Sequence, residues 1–110
     1  MIIYLKKSNK GDKKWMVYID GKTIHFGAFG MSDYTIHKDK ERMHRYENRH
    51  KNRENWKKSG IKTAGFWSKW LLWNKPSFKA SKSDIEKRFK VKIVLGWPSL
   101  RKKSGKRKKS

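Results

Sequence analysis

The stretch Trp15-Met16-Val17-Tyr18-Ile19-Asp20-Gly21-Lys22-Thr23-Ile24-His25-Phe26 decides the fold. Asp-Gly between two β-prone runs is the strongest short-range hairpin signal, because both central residues of the matching tight turn need positive φ. With Asp20 and Gly21 as that turn, Val17 faces Ile24 and Trp15 faces Phe26. Strand alternation then puts Trp15, Val17, Ile19, Ile24 and Phe26 on one face, and Met16, Tyr18, Thr23 and His25 on the other. The apolar run from Ile2 to Leu5 adds a further strand through the polar connection Ser8–Asp12. The expectation is a small antiparallel meander with one face that needs cover.

Helical patterns follow it. Gly27-Ala28-Phe29-Gly30-Met31 reads as a Gly-punctuated turn, with Ser32 and Asp33 as candidate helix caps. The segment from about Lys38 to Trp56 reads as one long helix: it has no Gly or Pro, and Asp39 is a second candidate cap. Glu41–Arg45, Glu47–Lys51 and Glu54–Lys58 have helix-stabilising spacing with the acid first. Met43, Tyr46 and His50 form a narrow stripe that should pack on the sheet. After Gly60, Thr63 can cap a helix over Ala64–Trp73, with Phe66, Trp67, Trp70 and Trp73 on one broad face and Leu71 beside them. Lys75-Pro76-Ser77 stops it. A last helix is expected from Ser81 to Phe89, with Ser83 and Glu86 as a capping box. Val91, Ile93 and Leu95 then alternate as a closing strand before Gly96-Trp97-Pro98. The fold class is α+β: a single domain over residues 1–100, with a basic tail over 101–110.

Composition sets the partner. The formal net charge is +22 over 110 residues; removing the seven basic groups of residues 101–110 still leaves +15 on the body. Self-repulsion on that scale disfavours a compact state unless something anionic supplies counter-charge. A hydrophobic content of 35% with such charge would suit a disordered chain, but six Trp, five Phe and four Tyr supply a large apolar area and argue for a small aromatic core. The Trp residues of 64–73 are spaced as one face of an amphipathic helix, which reads as packing rather than base stacking, and Trp56 and Trp97 are assigned to the core as well. No Cys means no disulfide framework and no thiolate metal site. The Met1–Leu5 run is too short for a signal-peptide core or a membrane span, so no transmembrane segment is expected.

The sharpest local pattern lies on the long helix. Lys38, Arg42, Arg45, Arg49 and Arg53 fall on one ridge, successive members about one turn apart. Lys38–Arg42, Arg45–Arg49 and Arg49–Arg53 are like charges at helical contact spacing, mildly destabilising in isolation. Such a ridge makes sense when phosphates or carboxylates dock on it, since the planar guanidinium fork binds both bidentately. The tail residues Arg101, Lys102, Lys103, Lys106, Arg107, Lys108 and Lys109 extend the polyanion-binding set, either neutralising phosphates without sequence preference or acting as a nuclear localisation signal.

Catalytic patterns are scarce. His37, His44 and His50 are too far apart in sequence for one helix to bring them to a point, and metal-ligand spacing is lacking. Gly-rich phosphate loops and nucleophile motifs are likewise missing. Only His25, Asp33, His37 and Asp39, around the Gly-rich turn, form a group that the fold can gather. No cofactor, metal or small-molecule substrate is expected, and a nuclease ranks a distant third among functions.

The stretch from His25-Phe26-Gly27-Ala28-Phe29-Gly30-Met31-Ser32-Asp33-Tyr34 to Asp39 continues with Arg45-Tyr46, Arg49-His50 and Arg53-Glu54-Asn55-Trp56. With the block Thr63-Ala64-Gly65-Phe66-Trp67-Ser68-Lys69-Trp70-Leu71-Leu72-Trp73-Asn74-Lys75-Pro76, it resembles a small basic protein family of nucleocytoplasmic large DNA viruses, such as chlorella viruses and iridoviruses. The resemblance spans roughly residues 13–90 and leaves out the first strand and the tail. It carries over no enzymatic residues. It implies a viral setting, and for a small non-enzymatic protein it implies the virion, reached through the host cytoplasm or nucleus during assembly. The expected function is a virion structural protein, a minor component of the inner capsid shell whose partners are acidic surfaces of other capsid proteins, packaged double-stranded DNA, or both. A protein that condenses DNA without sequence preference is the alternative.

Overall fold

The computed structural model describes residues 1–97. Three strands, β1 (Ile2–Lys7), β2 (Lys13–Ile19) and β3 (Lys22–Ala28), form the expected antiparallel meander. Val17 pairs with Ile24 and Trp15 with Phe26. Asp20 and Gly21 turn the hairpin at φ 48° and 82°, the left-handed pair that a tight hairpin demands. The closing strand β4 (Lys92–Leu95) adds parallel to β1, so the sheet is mixed, in the order β3-β2-β1-β4. The architecture is α+β, a sheet formed mainly by the N-terminal strands with the helices lying in sequence between β3 and β4.

Ile3, Leu5, Val17, Ile19, Ile24, Phe26 and Ile93 point from the sheet into one continuous core. Phe66, Trp67, Leu71, Leu72, Ile85 and Phe89 close it from the helical side. The chain supplies these from α3 (Ala64–Trp67), from a widened π-turn over Ser68–Leu72, and from α4 (Phe78–Phe89). Thr63 caps α3 by accepting from the Phe66 N–H, as the sequence predicts. The π-turn has no sequence signature. It adds a residue to the turn and brings Leu71 and Leu72 into the core together.

Four expectations change. The long helix becomes α1 (Tyr34–His37) and α2 (Lys40–His50), separated by Lys38 at φ 55°. It stops at His50 because the following segment has other partners: Asn55 accepts from the Lys57 N–H and donates to Ser59, a local turn that competes with helix. Consequently Glu54–Lys58 is not a helical pair; separately, the Glu47 carboxylate bonds Lys69 rather than Lys51. The last helix begins at Phe78, capped by Ser77 through the Ala80 N–H, rather than at the Ser83–Glu86 box. Glu86 instead accepts from the Ile93 N–H across to β4. Finally, Trp56 and Trp97 lie outside the main core. Trp97 packs on the outer sheet face, against Tyr18 and beneath the Lys6 ammonium. Among the described residues no helix is long and apolar enough to cross a membrane.

Candidate functional site

The candidate surface starts from how α2 is held. Asp39 caps it by accepting from the Glu41 and Arg42 N–H groups at 3.0 and 3.3 Å. Its buried side is Met43 and Tyr46. Tyr46 meets aromatic rings rather than the sheet. Tyr46 stacks on Trp73 at 4.5 Å with the planes 2° apart, on His50 at 4.3 Å, and lies parallel to Trp56 at 6.4 Å. Burial, reinforced by the Glu54 charge, pushes the Tyr46 hydroxyl up to about 12. Beside this stack the Lys69 side chain, only 7% exposed, bonds the Glu47 carboxylate and lies over the Trp56 and Trp70 rings at 5.4 and 5.0 Å. A buried ammonium needs such partners, since desolvation costs several kcal/mol without them.

Arg42, Arg45 and Arg49 run along the flank of α2 beside that buried side and are exposed to solvent. Arg45 reaches Glu41 at 3.6 Å, a pair so exposed that it contributes little. Arg42 and Arg49 have no carboxylate partner among the described residues. The chain's own acids are committed elsewhere. Asp20 pairs with Lys62, Asp33 with Lys14, Glu47 with Lys69, Asp84 with Arg88 and Glu86 with Lys82. Asp39 is taken up by the α2 cap. Glu54 lies beside His50, with its carboxylate against the Gly65 backbone where a side chain would collide. Only the Asp12 carboxylate has neither an ion pair nor a hydrogen bond among the described residues. The guanidinium groups of Arg42 and Arg49 are therefore unpaired among the described residues.

The predicted ridge is shorter than the sequence implies. Lys38 leaves it: its left-handed backbone sits before α2, and its ammonium donates to the Thr35 and Pro76 carbonyls at 3.0 and 2.6 Å. Arg53 follows the end of α2, with its guanidinium 3.4 Å from the His50 ring nitrogen. Arg101, Lys102, Lys103, Lys106, Arg107, Lys108 and Lys109 lie outside the described residues.

His25, Asp33, His37 and Asp39 each have a local structural partner. His25 bonds the Ser8 hydroxyl at 2.8 Å, Asp33 caps α1 and pairs with Lys14, and His37 accepts from the Asp39 N–H at 2.9 Å. Burial, and next the Arg42 charge, lowers the His37 proton affinity; its Nε2 is buried without a partner among the described residues. Among those residues, no group of three or more His, Cys, Asp or Glu gathers to hold a metal ion.

The sequence pattern assigns no role to Phe29, Met31 or Ile36. All three are well exposed and line an open groove of about 530 Å³ whose floor is the Trp15–Phe78 stack. Large apolar residues beside Gly in a turn are the sequence's only hint of Phe29 and Met31, and it does not tell whether they fold inward.

The profile of a family of unknown function (DUF5754) matches residues 3–50. That span takes in the meander, the Phe29 turn and the whole of α2, and ends before the Trp-rich segment. No curated protein and no solved structure matches the chain.

Proposed function

We propose that this chain is a non-enzymatic structural protein that docks on polyanionic surfaces through Arg42, Arg45 and Arg49. Its setting, taken from the resemblance, is the virion of a large DNA virus, where it serves as a minor component of the inner capsid shell. The observation that carries the docking role is the pairing pattern. The acids pair with Lys62, Lys14, Lys69, Arg88 and Lys82, while Arg42 and Arg49 face solvent with no carboxylate beside them among the described residues. Guanidinium groups held one turn apart on a rigid helix suit carboxylates and phosphates alike. The exposed apolar groove favours a protein neighbour, because nucleic-acid backbones offer it little to bury. A DNA-condensing role is the second reading, favoured by seven basic residues and no acid over 101–110.

Particles provide the test. Purified virions should contain the protein at fixed stoichiometry to the major capsid protein. After opening and nuclease digestion it should stay with the shell. Release together with the DNA would favour the condensing role, and absence from virions would overturn both.

A further inference from the structure

We propose that the groove beside the Phe29 turn docks a protein segment carrying one apolar anchor side chain flanked by carboxylates. The inference rests on the structural docking role above and deepens it, adding a second contact surface and naming its partner's chemistry.

The groove's walls are the first observation. Phe29, Met31 and Ile36 are 70, 64 and 61% exposed, a large apolar display for a chain with so few hydrophobic residues. Apolar groups clustered around a groove mark interaction sites. Their exposure is built in. The Met31 N–H donates to the Ala28 carbonyl at 3.2 Å, closing a turn in which Gly30 sits at φ 86°. That conformation suits Gly and leaves Phe29 at the turn's tip. The Phe29 N–H donates to the Asp12 carbonyl at 3.0 Å and ties the turn to the β1–β2 connection. On the other side Asp33 is buried, paired with Lys14, and caps α1. The walls are thus held before any partner arrives, which lowers the ordering cost of binding.

Charge is the second observation. Past Phe29 the groove adjoins a smaller depression of about 240 Å³, which shares Lys7, Lys14 and Phe29 with it and is also bordered by Lys10 and Lys13, with no acid in its lining. Lys14 is taken by Asp33, but Lys7, Lys10 and Lys13 have no carboxylate partner among the described residues. An apolar cleft continuous with unpaired ammonium groups complements an acidic segment with a hydrophobic anchor. Nucleic acid fits less well, since the Trp15 ring is already stacked at 4.8 Å on Phe78. The remaining walls are a turn-tip Phe and flexible aliphatic groups rather than a flat platform for bases.

The test titrates the full chain with a short synthetic Glu/Ser peptide containing one central Phe, against the same peptide with that Phe replaced by Ser. The Phe peptide should bind about tenfold tighter or better, the expected return for burying one aromatic side chain. Phe29→Ser combined with Ile36→Ser should erase that preference at unchanged melting temperature. Lys7→Glu with Lys10→Glu, a variant that removes no packing, should weaken both peptides. Arg42→Gln with Arg49→Gln should leave the preference intact. Equal affinity for the two peptides, or a preference that survives loss of Phe29 and Ile36, overturns the proposal. So does displacement of the Phe peptide by a single-stranded oligonucleotide with chemical shifts at Phe29 and Ile36, which would hand the groove to nucleic acid. A preference that holds while the protein is absent from virions would overturn the virion role alone.

Discussion

The core beneath the sheet and the seat of α2 are built on different principles. Under the sheet, Val17, Ile19, Ile24 and Phe26 meet Phe66, Trp67 and Leu71 in a dry apolar layer. Under α2, one Tyr ring stacks on Trp73, and the Glu47–Lys69 pair sits among Trp rings. The first arrangement holds the chain together without regard to direction. The second relies on specific polar and stacking geometry, which orients α2 and fixes where its arginines point. A strongly basic helix could not lie on the core without desolvating its charges, so a half-polar aromatic seat is the physical solution.

Removing a core ring should have the largest effect. Trp67 is fully buried and donates from Nε1 to the Ile61 carbonyl at 2.7 Å. Trp67→Ala should cost about 3–5 kcal/mol in urea denaturation and unfold sheet and helices together. A local loss confined to α2 would show that the two regions are not divided as described.

Glu47→Gln comes next. It leaves the Lys69 ammonium in the aromatic seat without its carboxylate, at a cost of about 1–3 kcal/mol. Amide exchange should accelerate along α2 and the Trp-rich segment while the β1–β2 ladder stays protected. Uniform acceleration would mean that the seat and the core act as one unit.

A smaller effect comes with pH. His37 has its proton affinity lowered from the ordinary 6.5 by burial and then Arg42. Between its folded value and 6.5 the unfolded chain binds more protons, so stability is fully present above that window. It declines as pH falls through the window and levels off below the folded value. His37→Gln should flatten part of this decline in thermal melts across the same range. An unchanged slope would assign it to His25, whose affinity burial also lowers.

The two regions differ as much in legibility as in construction. The Asp20-Gly21 turn and strand alternation announce the hairpin register and its buried face, because both depend on local backbone chemistry. The caps Asp33, Asp39 and Thr63 are equally local and equally legible. The parallel pairing of β4 and the Lys69 seat depend on partners distant in sequence, the π-turn carries no local signature, and four-residue spacing points Glu47 at Lys51 instead. The arginine ridge is legible at Arg42, Arg45 and Arg49, where a helix forms. It fails at Lys38, where a left-handed residue splits the helix, and at Arg53, beyond the stop that Asn55 helps to set. The groove is hidden because an exposed Phe in a turn looks the same in sequence as one that folds inward.

The central claim is that α2 carries an arginine face dispensable for folding and required for docking. One measurement tests it most directly: a thermal melt and a salt-dependent polyanion titration, run in parallel on the Arg42→Gln, Arg45→Gln, Arg49→Gln variant. The melting temperature should hold or rise slightly, since losing the Arg45–Arg49 repulsion and the exposed Arg45–Glu41 pair each shifts stability by only about 0.2–0.5 kcal/mol, with opposite signs. Affinity should fall, and with duplex DNA as the polyanion the dependence of log affinity on log salt should become shallower by about 0.9 for each phosphate no longer neutralised. A variant that unfolds, or one that binds with the same affinity and salt dependence as the parent, would contradict it.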